Sequence, residues 1–190
     1  MVTTLIRFLV PGTSNRFRCG GLSVELQTAR LVAGLCATEV VTYRQRQLDS
    51  PFLDDCLKAE KPDPSVLWIV SWGFDVPGLI RRLRGHRVAY HAHSSGYGFD
   101  LPAGVPVLAV SRNTLGYWGA RAPRNPLCLV PNALADPWFT RGARRRDGLR
   151  PIDVLVQARK SSPYVLNHLV PALLRAGLRV EVQSGWVDDL

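Results

Sequence analysis

Short runs of large apolar and β-branched residues alternate with helix-period stretches along almost the whole chain, and this alternation limits the fold more than any single residue does. Leu5–Val10 is an apolar run that stops at Pro11-Gly12, as a buried strand should. From Leu22 to about Leu35, Leu22, Leu26, Ala29 and Val32/Ala33 recur at helical spacing. Further strands are expected at 39–43 (EVVTY), 66–71 (VLWIVS), 87–91, 105–110 and 127–130. Between them lie a short helix over 76–83, with Asp75 as its cap and Pro77 in its first turn, and a helix from the N-cap Ser111 to about Gly119. Strands separated by helices of this length imply right-handed βαβ units. The expected fold class is therefore α/β, a doubly wound parallel sheet with helices on both faces.

The rhythm breaks at 140–150. TRGARRRDGLR carries Arg141, Arg144, Arg145, Arg146 and Arg150 with hardly any apolar content, which reads as a solvated linker or as an arm that meets phosphate. The pattern then restarts: a strand at 151–157, a cap and first-turn proline at Ser162-Pro163, and an apolar helical face formed by Val165, Leu166, Leu169, Val170, Leu173 and Leu174. Pro171 should kink or split that helix, Gly177 should end it, and 178–183 reads as another strand. About 40 residues are too few for a parallel α/β core of their own. The expected organisation is a Rossmann-like domain over 1–139, an Arg-rich linker over 140–150, and a truncated second α/β segment over 151–190.

Twenty-one of the 24 cations are arginines, and with 15 acidic residues the formal charge is +9, which points to an anionic partner without naming it. No apolar run approaches the ~18 residues of a membrane span, and the opening MVTTLIRFLVPGT lacks a cationic leader. Cys19, Cys36, Cys56 and Cys128 contain no C-x-x-C pair. They read as free thiols of a cytoplasmic protein, with Cys128 buried in its short strand rather than acting as a nucleophile.

Three clusters could carry chemistry. Gly20-Gly21 lies between the first strand and the first helix, at the edge where open α/β sheets bind ligands. Glycines there either let a ligand approach the helix amides or simply make a tight turn. The ten-residue loop Pro11–Gly20 exceeds what a turn needs, and no G-x-G-x-x-G is present. The segment VAYHAHSSGYGFDLP places His91 and His93 two residues apart at the same edge, followed by Ser94, Ser95, Tyr97 and Asp100. Such histidines are structural, or else contact a hydroxyl, move a proton or ligate metal. His86 and His168 are too scattered to complete a metal set, so no metal is expected. Arg159-Lys160 follows a strand and precedes the helix capped by Ser162, as in a phosphate site or as two solvated cations.

In this order, the pieces RFLVPG…CGGLSVELQTARL, YHAHSSGYGF, LAVSRNTLGYW, VPNALADPWF and IDVLVQARKSS resemble the group 1 glycosyltransferases of the two-domain B-type fold, most of all a bacterial subgroup acting in polysaccharide assembly. The resemblance covers nearly the whole chain. It implies a retaining, metal-independent transfer of a sugar from a nucleotide-sugar donor to an acceptor hydroxyl, with no further cofactor. The acceptor would be a saccharide or a lipid-linked sugar, the latter with peripheral contact to an anionic membrane face. By the same resemblance, Gly20 and Gly21 line the cleft, His93 or else His91 contacts the sugar or acceptor, and Arg159 and Lys160 meet the diphosphate. In the family that Arg and Lys are several residues apart, whereas here they are adjacent. The family's E-x7-E pair is missing after Arg159, which implies an incomplete donor domain that is inactive alone.

Two other readings compete. A non-catalytic carbohydrate- or lipid-carrier-binding module would keep the acceptor half, with a stacking platform drawn from Trp68, Trp72, Trp118, Trp138 and Trp186. Nucleic-acid binding through 141–150 is permitted by charge but has no recognition motif, so a nucleic-acid partner is not expected.

Overall fold

The computed structural model describes residues 3–71, 73–95, 97–132, 151–158 and 161–184. The chain divides into two compact units, Met1–Asp136 and Pro137–Leu190. The Arg-rich stretch 140–150 lies outside the described residues.

The first unit runs β1 (Leu5–Val10), α1 (Gly20–Ala33), β2 (Ala37–Thr42), α2 (Leu53–Ala59), β3 (Val66–Val70), α3 (Val76–Arg82), β4 (Arg87–Ala92), β5 (Val107–Ala109), α4 (Arg112–Arg121) and β6 (Leu127–Leu129). Six strands form one sheet in the order β2-β1-β3-β4-β5-β6, and every neighbouring pair is parallel. The order reverses between β1 and β3, so the crevice at the carboxyl ends of those strands is the topological switch point of an open α/β sheet.

Side chains alternate across the sheet and divide the core in two. On one face Leu9, Val41, Trp68, Val70, Tyr90 and Val107 pack against Leu53 and Cys56 of α2, Leu79 and Ile80 of α3, and Trp118 of α4. On the other, Phe8, Ile69 and Ala89 meet Ala29 and Val32 of α1. The α/β, Rossmann-like architecture with helices on both faces follows from this division. Among the described residues no helix is long and apolar enough to cross a membrane.

Arg7 is the polar exception within β1. Its guanidinium lies 5.0 Å from the Trp68 ring centre and donates to Glu39 at 2.8 Å and to both Glu60 oxygens at 2.6 and 2.9 Å. Five donors in a planar fork let a buried arginine satisfy two carboxylates at once.

Several expectations need correction. Helix α2 was not evident from the sequence; seven residues with Leu53, Cys56 and Leu57 on one side are too short for a periodic signal. Gly20 and Gly21 do not precede α1 but open it, and Cys19 is its N-cap, with Sγ accepting from Leu22 N at 3.4 Å. Asp75 stands at the N-cap position of α3, but its side chain makes no capping hydrogen bond. Its carboxylate instead accepts from Tyr43 Oη and from Arg44, each at 2.7 Å. Ser111 does cap α4, accepting from Thr114 N at 3.1 Å. Cys128 is exposed rather than buried, because β6 is the edge strand and each of its residues stays accessible. Trp68 and Trp118 are core residues and offer no stacking platform, while Trp72, Trp138 and Trp186 lie outside the described residues.

In the second unit β7 (Val154–Gln157) pairs in parallel with β8 (Val180–Gln183). A π-helical turn, Val165–Leu169, leads into α5 (Val170–Arg175). That wide turn sits where the Pro171 ring would clash with the carbonyl four residues earlier, so the proline is accommodated by a π turn within a helix that runs unbroken over 163–175 rather than by a split. Gly177, at φ +81°, ends α5, with Leu178 N donating to Leu173 O at 3.2 Å.

Candidate functional site

The site is built from α1 and the end of β4. Helix α1 buries Leu22, Glu25 and Ala29, so a carboxylate occupies one position of the stripe that faces the sheet. On β4, Ala89 faces α1, and strand alternation puts His91 on the same side. His93, just past the strand, stays on that side too.

The three side chains converge on one atom. Glu25 Oε2 lies 2.7 Å from His91 Nδ1 and 2.8 Å from His93 Nε2. The imidazole centres are 4.3 Å apart and inclined at 51°. Side-chain exposure is 1% for Glu25, 3% for His91 and 14% for His93, so His93 is the member that solvent or a ligand can reach. Burial raises the Glu25 carboxyl, but hydrogen bonds from His91 and His93 outweigh it and hold the group below its ordinary value. The other carboxylate oxygen, Oε1, is buried without a hydrogen-bond partner among the described residues, as is Nε2 of His91.

This cluster meets the glycine opening of α1. A Cβ placed on Gly21 would lie 4.0 Å from His93 Cγ and 4.0 Å from Cys19 Sγ, and one placed on Gly20 would meet nothing within 4 Å. The Gly20-Gly21 opening of a 14-residue helix therefore carries no side chain beside the accessible imidazole. The loop leading to it is held by side chains: Thr13 N and Oγ1 donate to Gln47 at 3.2 and 2.7 Å, and Ser14 donates to Gln45 at 2.7 Å. Gly12 is needed there, since a Cβ would come within 2.7 Å of the Phe17 ring.

Of the residues expected at the site, the structure brings together Gly20, Gly21, His91 and His93. Arg159 and Lys160 lie outside the described residues. Asp100 pairs with Arg121 at 3.0 Å instead of with either histidine. Arg121 also donates to the Phe99 and Gly98 carbonyls and fixes the far end of the histidine loop to α4.

Sequence reasoning missed Glu25. Its signal was available: a carboxylate three residues after Leu22 and four before Ala29 falls within the apolar stripe of α1. An acidic group there needs a buried partner. Also missed was an open cleft of about 720 Å³ at the carboxyl edge, lined by Tyr43, Arg44, Phe74, Asp75 and Arg81 among others. It excludes all three cluster residues. Burial and donation to Asp75 push the Tyr43 phenol far above its ordinary value and keep it a hydrogen-bond donor.

Chemically, the carboxylate fixes both rings. With Nε2–H of a neutral His93 donated to Glu25, its Nδ1 is left as an acceptor for a ligand hydroxyl or as a proton carrier. Two imidazoles and a carboxylate also form a set able to hold a metal ion, their ligand atoms lying within 4.8 Å of one another. No family model matches the sequence, and no curated protein or solved structure matches it.

Proposed function

We propose that this chain belongs to a glycosyltransferase lineage of the B-type fold, its first unit taking the acceptor and the near side of a nucleotide-sugar, its second the donor nucleotide. The observation that carries this reading is the bare Gly20-Gly21 opening of α1 beside His93, next to the topological switch point. A sugar brings hydroxyls for His93, and a diphosphate brings the negative charge that helix amides and a basic protein favour. In the same reading Arg159 and Lys160 meet the diphosphate, and the +9 charge favours an acceptor at an anionic membrane face in polysaccharide or glycolipid assembly.

The test is saturation-transfer NMR of the 190-residue chain with a panel of nucleoside diphosphate sugars and, separately, free saccharides. We expect saturable contact with at least one nucleotide-sugar, weakened at least tenfold in Gly20→Val. A Cβ there meets nothing within 4 Å among the described residues, so a loss of binding with an unchanged urea midpoint reports a blocked approach rather than a damaged fold. Binding of saccharides alone would replace the transferase by a non-catalytic carbohydrate module. Nucleotide-sugar binding that Gly20→Val leaves intact would overturn the site, and no binding of either class would overturn both readings.

A further inference from the structure

We propose that Glu25, His91 and His93 form a binding site for a divalent transition ion, Zn²⁺ by its chemistry, on the sheet face covered by α1. The inference stands apart from the transferase reading, because the ligand set is defined without any sugar.

Two of the three donors sit on rigid elements, Glu25 on α1 and His91 on β4, and His93 follows directly after the strand. Two imidazole nitrogens and one carboxylate suit zinc, whereas magnesium and calcium select all-oxygen sites. Two histidines and one glutamate are also a known catalytic-type zinc set, in which the fourth position stays open to an exchangeable ligand. Glu25 and His91 are almost fully buried, so ion and exchangeable ligand enter past His93, beside Gly21.

The orphaned carboxylate oxygen supplies the second argument. A buried carboxylate normally has both oxygens satisfied, yet Oε2 takes both histidines while Oε1 has no partner among the described residues. An ion with bonds of about 2.0–2.1 Å sets tetrahedral ligand atoms about 3.3 Å apart. The observed separations of 2.7 and 2.8 Å are those of hydrogen bonds, so the carboxylate recedes by about half an ångström on loading and Oε1 becomes available as a ligand. Each neutral imidazole then keeps its single proton on the nitrogen remote from the ion, Nε2 of His91 and Nδ1 of His93. Any imidazolium in the cluster releases one proton to solvent.

The experiment titrates the chelator-stripped 190-residue protein with Zn²⁺ against a chromogenic competitor, and with Co²⁺ to record its d–d spectrum. The expected result is one equivalent with a tetrahedral cobalt spectrum free of thiolate charge transfer. Affinity should fall at least ~100-fold in His93→Gln and in His91→Gln, since loss of supporting residues alone costs 10–100-fold. It should be unchanged when Cys19, Cys36 and Cys128 are replaced by serine. Should either histidine variant fail to fold, the cobalt spectrum of the wild-type protein still separates imidazole from thiolate ligation. Failure to compete for one equivalent, or binding that survives His93→Gln and disappears with the cysteines, overturns the site.

Discussion

The hydrogen bond between Glu25 and His93 should contribute to folding as a coupled pair, and a double-mutant cycle of Glu25→Gln and His93→Gln measures that coupling. The bond is 2.8 Å long, its acceptor is 1% exposed and its donor 14% exposed, so little of it is screened by water. Hydrogen bonds to charged groups contribute about 1.5–3 kcal/mol net. His91 shares the same oxygen and recovers part of the interaction when His93 is removed, which puts the coupling energy at the lower end, about 2 kcal/mol. Glutamine keeps the volume of glutamate but loses the charge, and the cycle cancels whatever its amide costs elsewhere.

Urea unfolding followed by tryptophan fluorescence is the assay, because Trp68 and Trp118 are fully buried in the first unit. EDTA in every sample keeps metal out of the measurement. With a urea slope of about 1–3 kcal/mol per molar, the coupling appears as a midpoint displacement in the double variant that falls about 1 M short of the sum of the single variants. Additivity within about 0.5 kcal/mol would refute the pairing, whatever the two single variants do.

Two further outcomes check the supporting structure. Ser111→Ala removes the oxygen that accepts from Thr114 N at the start of α4 and should cost about 1 kcal/mol, read from the same urea midpoints. In the second unit, hydrogen bonds from Arg179 hold the Asp153 carboxyl at about 2, below its ordinary 3.8, which sets a sign. The contribution is fully present above the unfolded value and is lost as pH falls through the folded one. Carbon-detected NMR should therefore follow Asp153 titrating near pH 2, with the β7–β8 amide shifts steady above pH 4 and Asp153→Asn removing their acid dependence. A midpoint at the ordinary carboxylate value would refute the pairing.

Much of the first unit is legible in the sequence because its central strands are short runs of largely buried apolar residues. Leu5–Val10 before Pro11-Gly12 is the plainest case. Helices α1 and α4 were legible too, through apolar spacing in one and the Ser111 cap in the other. What failed depended on partners distant in sequence. Asp75 looks like a helix cap when only its neighbours are considered, but Tyr43 and Arg44, at the end of β2, claim its carboxylate. The strand at Cys128 reads as buried because its residues are apolar, yet burial follows from position in the sheet, and β6 stands at the edge.

The candidate site shows the same division. His91 and His93 could be picked out because a strand places alternate residues on one face, and Gly20-Gly21 because they stand where a first helix begins. Glu25 needed the topology. With β3 between β1 and β4, helix α1 leaves β1 and comes to lie on the face that His91 also occupies, 66 residues further along the chain. No local pattern contains that separation. Yet a charged residue in an apolar stripe is costly unless something meets it, so the sequence states the requirement even where it cannot name the partner. The partners that meet Glu25 are both histidines, residues able to bind protons, hydroxyls and metal. Two alanines beneath α1 with a leucine at position 25 would make a simpler helix–sheet contact without a buried charge. The buried carboxylate therefore does two things at once, tying α1 to the end of β4 and fixing the orientation of both imidazole rings.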